Sequence, residues 1–313
     1  MNSHVINQGQ GIQTIDTGYH RPGLVASHLI QAGDQYAFVD VGTTTCQQRL
    51  LDALNAQQIR PEQIRYILVT HVHLDHAGAA GSLMRLFPNA QLVVHPRGAR
   101  HMINPVKLIE GATAVYGEKR MQETFGEILP VAANRVIEAA DEMVLNVNGR
   151  ELLFLDTPGH ARHHYCVYDE TSNSFFTGDT FGLSYQPLRV DGEPFMFPTT
   201  TPVQFDPDAL HASLDRLISY KPKQMFLTHF GRVEEPGRQA DKLHKLIDQF
   251  VTIAHTAQGA DCEQVIYQGL RELLFNELQQ IKSPLDEASV LTLMEMDLQL
   301  NTQGLCYWVS KGN

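Results

Sequence analysis

The sequence predicts an α/β protein with a helical C-terminal unit. Three observations carry this expectation. Short β-like runs alternate with amphipathic helical stretches in the first third of the chain, a second set of β-like runs follows between residues 135 and 177, and helical spacing alone dominates after residue 234. At 313 residues the chain is long enough for one large core with a smaller appended unit. Hydrophobic residues make up 43% and charged residues 19%, without a low-complexity tract, which argues against disordered and fibrous classes.

The opening runs at 12–17, 27–32 and 36–41 read as strands, the last two joined by a Gly33-Asp34 hairpin turn. A helix over 47–58 carries Leu50, Leu51 and Leu54 on one face, and the strand 66–69 leads into a histidine cluster. The helix 79–87 ends before Pro88, and 91–94 is the next strand. Residues 96–130 hold helical patches broken by Gly and Pro, expected as a helical insertion covering one edge of the core.

Strands return at 135–138, 143–147, 152–156, 165–168 and 174–177, with an Asn148-Gly149 turn between the second and third. Asp206-Pro207-Asp208 combines a capping carboxylate with a first-turn proline, so a helix should run from there to about 219. A strand at 224–228 closes the core near 232. Beyond it, Leu243, Leu246, Ile247 and Phe250, then Leu270, Leu273, Leu274 and Leu278, follow helical spacing, with no strand pattern before the last few residues. The expected organisation is a catalytic domain at 1–232 and a helical extension at 233–313.

With 24 basic and 35 acidic residues the net charge is -11, which disfavours a nucleic-acid partner. The first residues lack a basic segment followed by an apolar one, and no stretch approaches the ~20 apolar residues of a membrane helix. The expectation is a cytoplasmic protein acting on a small molecule, with no membrane partner. Cys46, Cys166, Cys262 and Cys306 are widely separated and read as buried free thiols.

The densest chemistry lies in Thr70-His71-Val72-His73-Leu74-Asp75-His76-Ala77-Gly78. Residues two apart in an extended stretch point the same way, so His71 and His73 can share one ion, while Asp75 and His76, past the turn, can face a second. Burying three imidazoles and a carboxylate together without a cation would cost several kcal/mol, and coordination removes that cost.

This loop resembles the signature of the metallo-β-lactamase-like hydrolases, and three later segments match the family's remaining ligand positions in order, so that the resemblance covers residues 12–232. Asp156-Thr157-Pro158-Gly159-His160 resembles the segment whose histidine completes the first metal site. Phe176-Thr177-Gly178-Asp179-Thr180 resembles the one whose aspartate bridges both metals, and Leu227-Thr228-His229-Phe230-Gly231 the one whose histidine joins the second site. The resemblance implies a four-layer αββα sandwich with the metal-binding loops at one end. The appended helical unit is similar in architecture to glyoxalase II, a thioester hydrolase, although residues 234–313 lack a clear glutathione-binding basic pattern.

The implied centre holds two divalent ions, one on His71, His73 and His160, the other on Asp75, His76 and His229, with Asp179 between them. Nitrogen and carboxylate ligands without cysteine suit zinc, with iron or manganese as alternatives. A hydroxide bridging two ions, oriented by Asp75, would attack an ester-like bond in a thioester, lactone or other small ester. Two alternatives on the same fold are phosphodiester cleavage and a mononuclear iron dioxygenase acting on a thiol or persulfide. Thr180-Phe181-Gly182-Leu183-Ser184 does not resemble the dioxygenase continuation, and the flavin-linked diiron reductases carry glutamate where this chain has His73.

His163 and His164 are candidates to support the ligands or touch substrate, and Tyr185 to donate a hydrogen bond to a developing oxyanion. His95 and His101 are expected to be structural or exposed, and residues 195–201 to wall the pocket.

Overall fold

The computed structural model describes residues 4–200, 203–257 and 259–312. Two faces of burial explain the continuous apolar runs in the sequence. In β4 (Gln35–Val39), β5 (Ile64–Val69) and β6 (Gln91–Val94), Ala37, Val39, Leu68 and Val93 point into one core while Phe38, Ile67, Val69 and Leu92 point into another. A strand covered on both sides needs apolar residues at every position rather than every second one.

Among the described residues these strands belong to a seven-stranded sheet with β1 (Val5–Gly9), β2 (Ile12–Asp16), β3 (Ala26–Ala32) and β7 (Val136–Glu138), arranged in sequence order. Pairing is antiparallel from β1 to β4 and parallel from β4 to β7. The second sheet has six strands: β8 (Val144–Val147), β9 (Arg150–Asp156), β10 (Tyr165–Asp169), β11 (Ser174–Gly178), β12 (Gln224–Leu227) and β13 (Gly231–Glu234), of which only β11 and β12 pair in parallel. The β8–β9 hairpin turns through Asn148 and Gly149, both at positive φ, as an Asn-Gly turn requires.

Between the sheets, Ile30, Val39 and Leu68 meet Phe154, Val167, Phe176 and Phe226. Outside the first sheet lie α1 (Gln47–Ala56), the single turn α2 (Leu74–Ala77), α3 (Ala80–Leu86) and α4 (Pro96–Ile103), with Leu50, Leu54, Leu83 and Met102 packed inward. Next come α5 (Val106–Tyr116) and α6 (Glu118–Arg120), which runs into a π-helical turn at Met121–Phe125. Outside the second sheet lie α7 (Pro207–Ser219), α8 (Pro236–Thr256), α9 (Cys262–Gln280) and α10 (Glu287–Ser310). Leu214, Phe250, Leu274 and Leu298 join Phe175, Met225 and Leu227 in one core. The result is the expected four-layer αββα sandwich, with helices at the C-terminus.

Several details differ from the sequence expectation. Strand β1 has no apolar alternation because it is an edge strand with largely exposed side chains. The last residues before 310 are helical, and β13 continues the second sheet to Glu234. The insertion is helical as expected; α4 lies against edge strand β7, but α5 and the π turn extend over the end of the sandwich. Of the four free thiols only Cys166 is fully buried.

Two buried polar groups tie the sheets together. Arg150 grips Asp169 through Nε at 2.9 Å and Nη2 at 2.5 Å, and its Nη1 donates to the carbonyls of Gln10 and Gln31 across the interface. His28 packs against the stacked Phe176 and Phe226 rings, accepts from Thr14 Oγ1 and donates from Nε2 to the Leu227 carbonyl at 3.1 Å.

Breaking the pair with Asp169→Asn leaves a buried guanidinium without its counter-charge and should cost roughly 3–5 kcal/mol in denaturant unfolding. Burial pushes the His28 pKa down to about 4, against the raising effect of the Leu227 carbonyl and Asp40. A histidine harder to protonate when folded stabilises the fold fully above its unfolded pKa, and that contribution disappears as pH falls from about 6.5 towards 4, a span worth about 3 kcal/mol. Urea titrations at pH 7 and pH 4.5 should therefore show a smaller acid-dependent loss in His28→Gln than in the parent chain. An equal loss in both would contradict this assignment.

Candidate metal centre

The seven predicted ligands all follow C-terminal ends of strands on one side of the sandwich. His71 and His73 leave β5 in an extended stretch, Asp75 and His76 lie in the turn of α2, His160 follows β9, Asp179 follows β11 and His229 follows β12. Their ligating atoms fall into two groups, His71, His73, His160 and Asp179 in one and Asp75, His76 and His229 in the other, the atoms of each lying within 4.8 Å of one another.

Close approach at this end demands small residues. Gly178 adopts φ +47, and a Cβ there would come within 2.5 Å of Thr70 Oγ1 and 2.6 Å of His164 Nε2. Glycine is thus the residue that lets β11 deliver Asp179 against the β5 loop.

The hydrogen bonds behind the histidines determine their tautomers. Thr70 Oγ1 donates to Asp40, so it accepts from His71 Nδ1 at 3.1 Å. His76 Nδ1 donates to Asp40 Oδ2 at 2.7 Å, His160 Nδ1 to the Thr199 carbonyl at 3.2 Å and His229 Nδ1 to the Leu24 carbonyl at 3.1 Å. In its neutral form each of these four rings therefore turns Nε2 inward as the lone-pair nitrogen. His71 Nε2 lies 2.8 Å and His160 Nε2 3.2 Å from His73 Nδ1, while Asp179 is 3.3 Å from His160 and 3.2 Å from His76. Asp75 Oδ2 is 3.3 Å from His229 Nε2.

These separations match the edges of a coordination polyhedron, since ligand atoms at ~2.1 Å from one tetrahedral ion are ~3.4 Å apart. His76 Nε2 and Asp179 Oδ1 are buried 3.2 Å apart, and among the described residues neither has a well-aligned hydrogen-bond partner. Such orphaned atoms are expected where a cation belongs. The residues therefore fit divalent metal ions.

Without an ion the charges lean on one another. Burial holds His71 and His73 well below the usual histidine range, and neighbouring imidazoles add to it. Burial lowers His76 and His229 as well, but the carboxylates of Asp179 and Asp75 outweigh it and raise both, His229 to about 9. In turn, burial would raise Asp75 and Asp179, and His76 and His229 hold both well below the carboxylate range instead.

Residues 20–229 match the family described as the metallo-beta-lactamase superfamily, well over half of the chain. The chain belongs to this superfamily. It is 30% identical over 176 residues to a metallo-beta-lactamase fold-containing protein of Sulfurisphaera tokodaii, covering 55% of this chain and 62% of that one. It is 29% identical over 188 residues to an N-acyl homoserine lactonase of Bacillus thuringiensis, covering 60% and 63%. The matches thus span less than two thirds of these relatives' length. An atrochrysone carboxyl ACP thioesterase of Aspergillus fumigatus is 26% identical over 155 residues, covering 49% of this chain and 39% of that protein. A metallo-beta-lactamase family protein from Thermus thermophilus shares the fold across 98% of this chain and 95% of its own, with a TM-score of 0.68 at 19% identity.

In this metallo-beta-lactamase superfamily member a cavity of about 750 Å³ opens over the site, reaching His73, Asp75, Asp179 and His229. His163 lines it, its ring 5.7 Å from that of His73. His164 lies behind the site instead. It accepts the Asp179 N–H at Nε2, with Nδ1 set against Thr157 and Thr180, and so positions Asp179. Tyr185 is buried, and its hydroxyl donates to Asp297 of α10, a residue that does line the cavity. His95 caps α4 by accepting the Arg97 N–H, whereas His101, expected to be structural or exposed, lines the cavity. Of the run 195–201, Phe195 and Phe197 pack in the core, Thr199 reaches the cavity and Thr201 lies outside the described residues.

Sequence reasoning missed Asp40, which accepts from the Thr70 N–H at 2.8 Å and from His76 and Thr228 Oγ1 at 2.7 Å. A carboxylate ending the apolar run Ala37-Phe38-Val39 was the available signal. Asp40→Asn removes the acceptor that orients His76, and an outer partner of this kind is worth about 10- to 100-fold in metal affinity. Chelator competition should detect that loss; unchanged affinity would separate Asp40 from the centre.

Proposed function

We propose that this protein is a dinuclear metal-dependent hydrolase of ester-like bonds in small molecules, with residues 1–232 as its catalytic domain. His71, His73 and His160 would hold the first ion and Asp75, His76 and His229 the second, with Asp179 available to both. The observation that carries this reading is the convergence of five imidazoles and two carboxylates into two adjoining groups, linked where His76 Nε2 lies 3.2 Å from Asp179. Zinc is the favoured metal because the donors are nitrogen and oxygen without thiolate.

Bound divalent ions at such a centre lower the pKa of water to about 7 and polarise a carbonyl. Asp75 is a quarter exposed at its side chain and lines the cavity, so its carboxylate is placed to orient the attacking water as well as to ligate. His164 and Thr199 keep Asp179 in register, the first through its N–H and the second through its carbonyl. The extension 233–313 supplies Met296, Asp297, Leu300 and Asn301 to the cavity wall. The lactonase and thioesterase names among the relatives support acyl bonds as the substrate class.

Mass spectrometry of protein purified without added metal should find two equivalents of zinc, and a panel of thioester, lactone and phosphodiester should show hydrolysis of an acyl substrate. A single iron with oxygen uptake and no hydrolysis would overturn the reading. Asp75→Asn should lower kcat by about 10²- to 10⁴-fold, the range for loss of a proton-handling carboxylate.

A further inference from the structure

The cavity wall beside the first group of histidines is cationic in a chain whose net charge is -11. Arg97, Arg100, Lys107 and Arg162 all line the cavity, and none forms an ion pair among the described residues. Among the described residues the Arg97 side chain donates only to the Arg162 carbonyl, at 3.3 Å, and that of Arg100 to His101 Nε2, at 3.2 Å, so both guanidinium groups are held by neutral acceptors. Beneath them His163 is 9% exposed, and its buried Nδ1 has no hydrogen-bond partner among the described residues. The acidic residues lining the cavity are Asp75, Asp179 and Asp297, the first two at the metal centre and the third bound to Tyr185.

All four are exposed, so they form a solvated rim, and cations gathered at the mouth of a concave, partly apolar cavity raise the local concentration of an anion there. The other half of the cavity is apolar: α5 contributes Leu108, Ala112, Val115 and Tyr116, and α10 Met296 and Leu300. Its volume of about 750 Å³ suits a small amphipathic molecule rather than a polymer.

We propose that Arg97, Arg100, Lys107 and Arg162 form a binding subsite for an anionic group, a carboxylate or phosphate, on a substrate whose apolar part lies along α5. This rests on the ester-hydrolase reading above and names the substrate class of that same site. The anion points towards the His71/His73 side, where His163 stacks 6.1 Å from His71. It points away from Asp297, whose carboxylate lies within electrostatic reach of His229.

The test compares matched substrates on the metal-loaded full chain. One arm sets a 4-nitrophenyl monoester of hexanedioic acid against 4-nitrophenyl hexanoate. The other sets octanoyl-coenzyme A against the octanoyl thioester of N-acetylcysteamine. A carboxylate subsite gives preference in the first arm and a phosphate subsite in the second, by about 10- to 100-fold in kcat/KM, as expected for one or two charge-assisted hydrogen bonds. That preference should collapse in Arg97→Gln/Arg100→Gln/Lys107→Gln, return substantially in the Arg→Lys pair at 97 and 100, and shrink with added salt. Where esters are hydrolysed, no preference in either arm, or one that survives the triple substitution, overturns the proposal. Calorimetry with octylphosphonate separates the two readings: weaker binding in the triple variant with no ester hydrolysed would leave the subsite standing and remove the hydrolase assignment.

Discussion

The carboxylate of Asp40 sits at the end of β4 with no exposure to solvent, and the geometry of the site depends on how it is satisfied. Its oxygens accept from Thr70 after β5, His76 in α2 and Thr228 after β12. A buried carboxylate short of donors costs more than the marginal stability of many domains can absorb. The ends of strands from both sheets must therefore meet at this point, and their register is coupled to the orientation of the His76 ring. Asp40 itself adopts φ +50, a conformation that non-glycine residues keep where the surroundings over-determine it.

Around that carboxylate the sandwich holds an arrangement that would be unfavourable in isolation. Four imidazoles have their outer nitrogens committed to Thr70, Asp40, Thr199 and Leu24, so their inner nitrogens converge on a buried space where only lone pairs or protons held by Asp75 and Asp179 can sit. Packing on both faces of the central strands leaves those loops little freedom to relax. The geometry is thus preorganised for a cation, and the rigid layers supply the energy that keeps it so.

Chemistry and selectivity come from different parts of the chain. The sandwich strands deliver the ligands, whereas the insertion carrying α4 and α5 and the distant helix α10 form much of the cavity above them. Superfamily folds commonly keep the reactive centre on the scaffold and vary what surrounds it. Here that division places unpaired cations on one wall and Asp297, held by Tyr185, on another.

Most strands and helices were legible because their periodicity reflects burial, and the histidine loop because ligands adjacent in sequence cannot avoid being adjacent in space. Strand β1 was not, since an exposed edge needs no apolar alternation. The Asn148-Gly149 hairpin and the Asp206 cap could be read from short-range backbone chemistry alone. By contrast, Asp40, the Thr199 and Leu24 carbonyls and the cationic wall involve partners dozens to hundreds of residues apart, such as Leu24 with His229. The sequence by itself determined most of the elements and the candidate ligands. Only the tertiary structure decided which tautomer each histidine holds and which side chains face the cavity, because those depend on where strand ends meet in space.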